Sequence, residues 1–252
     1  MTGGEANIAA LTGKTILVTG AASGIGYATA QRIVNLGGRC VAVDRSDKVN
    51  DLSQLPGIIP VVGDVSDSQV LAHAVHVSEQ EFGHLDGAVA AAGVTRAGSV
   101  ETMELSTWDE VMRVNLTAVF LLAQAVFPAF RAAKGGSFVA IASQVGLVGY
   151  PNNVAYCAAK AGVINLVRAM AVDASADGIR SNAVCPGPVD TPMLREGFAQ
   201  SGEDIGVATA RVPAGRIATA SEIAATTCFL LSNDSQFVTG AAWAVDGGYT
   251  AQ

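Results

Sequence analysis

Charge is scarce in this chain. Only 15% of its 252 residues are Asp, Glu, Lys or Arg, and the balance is acidic, with a net charge of −7. The 15 Lys and Arg residues form no run. The sequence therefore lacks the basic face that a phosphate backbone requires, and no nucleic-acid partner is expected. Cysteine is equally sparse. Cys40, Cys157, Cys185 and Cys228 are scattered, with no C-x-x-C pair, which removes the common zinc and redox motifs. They read as buried free thiols in a reducing compartment. No uninterrupted apolar run reaches the ~18 residues of a membrane span. The opening stretch "MTGGEANIAALTGK" has no basic segment followed by an apolar one, so it is not read as a secretory signal. The expectation is a cytoplasmic protein that does not engage a membrane. With no repeat, linker or low-complexity tract, residues 1–252 read as one domain.

What is present is apolar. Half the residues are hydrophobic, enough for a substantial core. Strand-like and helix-like segments alternate. The runs at 14–20, 39–44, 58–64, 85–93, 136–143 and 179–187, with a seventh at 240–248, read as strands. Their nearly continuous apolar character suits a parallel sheet covered on both faces. Helices are expected over 24–36, from Ser66 to about Phe82 with Ser66-x-x-Gln69 as a capping box, and over 153–176. A long helix is expected to open at "LSTWDEVM", with Ser106 as N-cap and Asp109 in its first turn, and Pro128 is expected to kink or end it. Thr219-x-x-Glu222 should cap a helix running to about Leu231. The alternation predicts an α/β fold, a Rossmann-like doubly wound parallel sheet of about seven strands with helices on both faces. Residues 188–218 stand apart as a long Gly- and Pro-rich connection, and read as a substrate lid at the functional site. Met193, Leu194 and Phe198 are spaced for the apolar side of a short lid helix.

Chemistry concentrates in a few places. "TGAASGIG" places Gly20, Gly24 and Gly26 between the first strand and the first helix. Backbone amides there can meet a pyrophosphate at the helix N-terminus. Asp44 ends the second strand, where a carboxylate can accept hydrogen bonds from ribose hydroxyls. Tyr156 and Lys160 lie four residues apart with small residues between them, so a helix sets them on one face. An ammonium beside a phenol favours the phenolate, which makes the pair an acid–base candidate. An ordinary solvated Tyr–Lys pair has the same spacing. His73 and His76 lie three apart with Glu79 nearby, and a solvated helix face accounts for them without a metal.

The glycine loop, Asp44, Ser143 and Tyr156-x-x-x-Lys160 together resemble the short-chain dehydrogenase/reductase family, from "TGAASGIG" through "PGPVDTPM" to "AVDGGYTAQ". The resemblance implies a nicotinamide cofactor. It makes Tyr156 the general acid/base and gives Lys160 the task of depressing its pKa and holding the nicotinamide ribose. Ser143 would position the substrate oxygen, and Asn115 would disturb the long helix and hold a water in a proton relay. Cofactor contacts would come from Gly20, Ser23, Gly24, Ile25, Gly26, Asp44, Asp64, Val65, Gly93, Tyr156, Lys160, Pro186, Gly187, Val189 and Thr191. Substrate contacts would come from Ser143, Gln144, Tyr156 and Met193. The chain departs from the family where two asparagines are usual before Ala-Gly, since residues 90–93 read "AAAG". The expected function is hydride transfer between NAD and a secondary alcohol or ketone, with NADP disfavoured by Asp44 and no metal required. The resemblance also implies a homotetramer. Two alternatives are kept: a 3-oxoacyl-thioester reductase, which "RVPAGRIATASEIA" resembles, and a non-catalytic NAD-binding sensor, which would have no need to keep Tyr156 and Lys160.

Overall fold

The computed structural model describes residues 10–201 and 204–252. The first nine residues, part of the stretch read for a signal, and residues 202–203 of the expected lid lie outside the described residues. The seven expected strands are β1 (Thr15–Thr19), β2 (Arg39–Asp44), β3 (Ile58–Val62), β4 (Gly87–Ala90), β5 (Gly136–Ile141), β6 (Ile179–Pro186) and, last in the sheet, Ala242–Val245. They form one parallel sheet in the order β3-β2-β1-β4-β5-β6 with Ala242–Val245 at the far edge. The order reverses between β1 and β4, so the loops leaving these two strands diverge and open a crevice at their carboxyl ends.

Helices cover both faces. On one side lie α2 (Ser68–Phe82), α4 (Ala118–Ala132) and α5 (Val154–Ala174); on the other lie α1 (Gly24–Asn35) and the helix Ala220–Leu231. Side chains alternate accordingly. Leu17, Val41, Val43, Phe138 and Ala140 pack with Leu122, Val126, Val163 and Val167. Ile16, Val18, Ala42, Val139 and Ile141 pack with Ile33, Ile223 and Leu230. Because both faces are covered, the strands are apolar at nearly every position, which is why they were legible as runs.

Several local expectations are corrected. The fourth strand ends at Ala90, and residues 91–93 leave the sheet as cleft lining. Ser66 does not cap α2. Its amide and hydroxyl bond the Asp64 carboxylate, and Asp67 Oδ1 accepts from the Gln69 amide instead, opening the helix at Ser68. Glu104, not Ser106, precedes α3 (Leu105–Met112), whose first turn holds no acidic residue, so Asp109 falls beyond it. The amides of Thr107 and Trp108 both bond the Glu104 carbonyl, which starts the helix earlier. Pro128 sits inside α4 without ending it. The break in the long helix falls instead at a π-helical turn, Arg113–Thr117, which contains Asn115.

The connection 188–218 is more ordered than its composition suggests. It holds β7 (Val189–Asp190), α6 (Pro192–Ser201) and α7 (Ile205–Ala210), and β7 pairs with β8 (Ala218–Thr219). The helix that follows, α8 (Ala220–Leu231), has the expected capping box of Thr219 and Glu222. The last sheet strand, Ala242–Val245, is then β9. The stretches Leu105–Ala132 and Val154–Asp177 are long and apolar enough to cross a membrane, yet they serve here as sheet-covering helices.

Candidate active site

A cleft of about 870 Å³ runs along the carboxyl ends of the strands. It is lined by every residue singled out above for cofactor or substrate contact, and by Ser143, Tyr156 and Lys160, whereas Asn115 does not line it.

At one end lies the turn between β1 and α1. Gly20 and Gly24 have φ of 68° and 56°, which a side chain resists. A Cβ on Gly20 would lie 2.6 Å from the Ala92 backbone nitrogen, and one on Gly26 would lie 2.2 Å from the Gly20 carbonyl oxygen. The glycines thus let two loops and a helix close on each other. Ser23 precedes α1 without capping it, so the first amides of the helix face the cleft unclaimed by its hydroxyl, a place suited to an anion. Asp44 Oδ2 accepts from the Ala22 amide at 3.0 Å, and Oδ1 from the Ser46 amide at 2.9 Å. The carboxylate is held at the cleft wall with lone pairs to spare. Asp64 is held by Ser66 and Arg113, and the Ser66 hydrogen bonds chiefly draw its carboxyl below the ordinary range.

At the other end α5 presents Tyr156 and Lys160. Lys160 is buried; its Nζ donates to the Ile141 carbonyl at 2.8 Å and lies 5.5 Å from the Tyr156 ring centroid. Burial pushes the ammonium down to about 8. Burial likewise pushes the phenol up to about 12, with the neighbouring Ser143 hydroxyl offsetting part of the rise. This corrects the expectation of a Tyr156 pKa lowered by Lys160: in the protein alone it is raised, with desolvation the largest cause.

Asn115 sits fully buried behind this end. Its Nδ2 donates to the carbonyls of Val94 and Val111, and its Oδ1 accepts from the Val94 amide. A Cβ on Gly93 would lie 2.8 Å from that Oδ1 and 3.9 Å from Lys160 Nζ. The π turn aims Asn115 at the strand four loop. Where the family usually has asparagines, Ala91 instead donates its amide to Thr19 Oγ1, and Thr19 Oγ1 donates to the Val89 carbonyl. The 188–218 connection closes on the same cleft: a Cβ on Gly24 would meet Thr191 at 3.2 Å, and one on Gly93 would meet Met193 at 3.4 Å.

The sequence reading missed Tyr150, Asn153, Arg211 and Tyr249, which also line the cleft. Tyr150 and Asn153 share the turn before α5, and Arg211 and Tyr249 come from two other segments, with no local signal common to all four.

Comparison with known proteins identifies the family. A family model described as enoyl-(acyl carrier protein) reductase matches residues 20–250. The chain is 38% identical over 250 residues to 2-(S)-hydroxypropyl-CoM dehydrogenase 3 of Xanthobacter autotrophicus, covering 96% of this chain and 98% of that protein. It is 37% identical to a 3-oxoacyl-[acyl-carrier-protein] reductase of Thermotoga maritima, covering 94% and 98%. It is 38% identical to cis-4-hydroxycyclohexanecarboxylate dehydrogenase of Sinomonas cyclohexanicum, covering 94% and 97%. Among solved structures, a putative NAD(P) dependent gluconate 5-dehydrogenase from Beutenbergia cavernae with bound NADP superposes with a TM-score of 0.89 at 33% identity, covering 97% and 100%. The fold and these matches define an α/β oxidoreductase. The chain belongs to the short-chain dehydrogenase/reductase family.

Proposed function

We propose that this protein is an NAD-dependent dehydrogenase that interconverts a secondary alcohol and its ketone. The observation that carries this reading is the convergence of Ser143, Tyr156 and Lys160 on one cleft with the glycine loop and Asp44. The residues present fit a nicotinamide dinucleotide. The cradle at Gly20, Gly24 and Gly26 admits no Cβ without close contact, the α1 N-terminus suits a pyrophosphate, and Asp44 suits ribose hydroxyls. Ser23, Ile25, Asp64, Val65, Gly93, Pro186, Gly187, Val189 and Thr191 complete the holding surface, and Lys160 would bond the nicotinamide ribose. When bound, the nicotinamide supplies the hydride acceptor or donor.

The chain's own groups manage the proton. Tyr156 gives a proton to the carbonyl oxygen in reduction and takes it from the hydroxyl in oxidation. Ser143 holds that oxygen beside the phenol. Lys160, fixed on the Ile141 carbonyl, places positive charge where the phenolate forms. Asn115 shapes the loop behind Lys160 by holding Val94. No metal enters this chemistry. Gln144 and Met193 bound the substrate, and residues 188–218 act as its lid on a single domain.

A homotetramer in the cytoplasm belongs to the same reading. Phe120 of α4 and Val172 of α5 are 48% and 82% exposed on outer helix faces, and apolar faces of this kind pack against copies of the chain.

A specific observation keeps a second substrate class in view: the Thermotoga relative is a 3-oxoacyl-[acyl-carrier-protein] reductase. Tyr156→Phe with NAD and a panel of secondary alcohols tests the main reading. Turnover should vanish while cofactor binding persists. Normal turnover in the variant refutes the assignment, and reduction of 3-oxoacyl thioesters in preference to every simple ketone selects the second class.

A further inference from the structure

We propose that the substrate carries a carboxylate, and that the Arg211 guanidinium binds it; this rests on the dehydrogenase reading above. The lining of the cleft is divided by charge. Its carboxylates lie at the glycine-loop end, Asp44 as the last residue of β2 and Asp64 just after β3, together with Arg45 and Lys48. The remaining charges among the described lining residues are two cations, Lys160 and Arg211. Lys160 is committed to the Ile141 carbonyl. Among the described residues, no side-chain hydrogen bond or ion pair claims the Arg211 guanidinium.

Some arginines of this acidic chain pair with carboxylates, Arg96 with Glu110, Arg113 with Asp64, Arg131 with Asp177, Arg195 with Asp190 and Arg216 with Glu222, and others, such as Arg180 on the Val238 and Ser232 carbonyls, do not. Arg211 has no carboxylate partner among the described residues. Its guanidinium carbon lies 5.7 Å from the centroid of the Tyr150 ring, another cleft residue. Its position is anchored from both sides, since it directly follows α7 and precedes the buried Val212. A guanidinium laid against an aromatic face keeps its N–H edge open for a two-point contact with a carboxylate. Around the cleft, Gln144 and Asn153 each bury a side-chain oxygen that finds no hydrogen-bond partner among the described residues. Such acceptors repel an anion and accept from hydroxyl groups. They direct the acid group of the substrate towards Arg211 and leave the hydroxyl-bearing part beside Ser143. The apolar side chains of Met193, Leu194 and Phe198 line the same cleft and suit a carbon skeleton joining the two.

The test is a titration that does not depend on turnover. Cyclohexanecarboxylate and its neutral counterpart cyclohexanecarboxamide are titrated calorimetrically into the full-length protein, alone and with NAD. The carboxylate should bind at least tenfold more tightly than the amide. Arg211→Gln should abolish that preference and Arg211→Lys should keep part of it, whereas Tyr156→Phe should leave it intact. Equal binding of the two compounds, binding of neither, or a preference that survives Arg211→Gln overturns the proposal. The dehydrogenase reading fails separately, when wild-type protein with NAD oxidises no secondary alcohol while the carboxylate preference stands.

Discussion

Lys160 Nζ lies 5.5 Å from the centre of the Tyr156 ring, yet its hydrogen bond goes to the Ile141 carbonyl on β5. The ammonium is held beside the phenol by the sheet, and burial moves the two groups apart on the pH scale, the phenol up to about 12 and the ammonium down to about 8.

This sets a pH dependence. In the proposed mechanism oxidation uses Tyr156 as phenolate, and a phenol with a raised pKa is almost wholly protonated at neutral pH. The kcat/KM for alcohol oxidation should therefore climb with pH. It should bend over near 8, where Lys160 loses its proton and with it the charge that favours the phenolate. Ketone reduction uses the protonated phenol and should stay level below that point. A cation bound nearby shifts the rise to lower pH without changing its sign. Steady-state profiles in both directions check this, and a flat oxidation profile removes Tyr156 as the base.

Asn115→Ala should destabilise the protein by about 2–4 kcal/mol, because it strands the Val94 amide and two carbonyls in the interior. For a chain of this size that is a fall of roughly 5–15 °C in Tm. Thermal unfolding followed by circular dichroism measures it. An unchanged Tm would mean that water replaces the amide without cost.

On the proposed reading, Asp44 should govern cofactor choice. At ~5 Å and an effective dielectric of ~20, a carboxylate and one unit of phosphate charge repel by about 3 kcal/mol. Solvent screening reduces this to roughly 1–3 kcal/mol, or about 10- to 100-fold in favour of NAD. Arg45 and Lys48 line the same end of the cleft and hold the preference toward the lower figure. The ratio of kcat/KM for NAD and NADP should narrow in Asp44→Asn. A wild-type preference for NADP refutes this role of Asp44.

Gly26→Ala should abolish cofactor binding or folding, since its Cβ would lie 2.2 Å from the Gly20 carbonyl oxygen. Gly83→Ala provides the control. That glycine has a φ of 84° but no atom within 4 Å of its Cβ position, so its cost is backbone strain alone, about 1–2 kcal/mol. Fluorescence titration with NADH separates the two variants, and normal binding by Gly26→Ala contradicts the packing argument.

The sequence by itself determined the alternation of strands and helices, the glycine loop and the shared face of Tyr156 and Lys160. Each is a local property: side chains repeat with the period of their element, and a turn between a strand and a helix needs glycine wherever the chain closes on itself. Capping was less legible. Asp67 displaced Ser66 because Ser66 was already bonded to Asp64, and Glu104 displaced Ser106 because its carbonyl takes two amides. Competition among neighbouring polar groups has no simple pattern in a sequence. The tertiary structure alone decided the rest. It placed Arg211, Tyr150 and Asn153 in the cleft with Ser143, and it turned the expected lowering of the Tyr156 pKa into a rise. Both depend on segments far apart in the chain, because desolvation is set by everything that surrounds a group and not by the residues next to it.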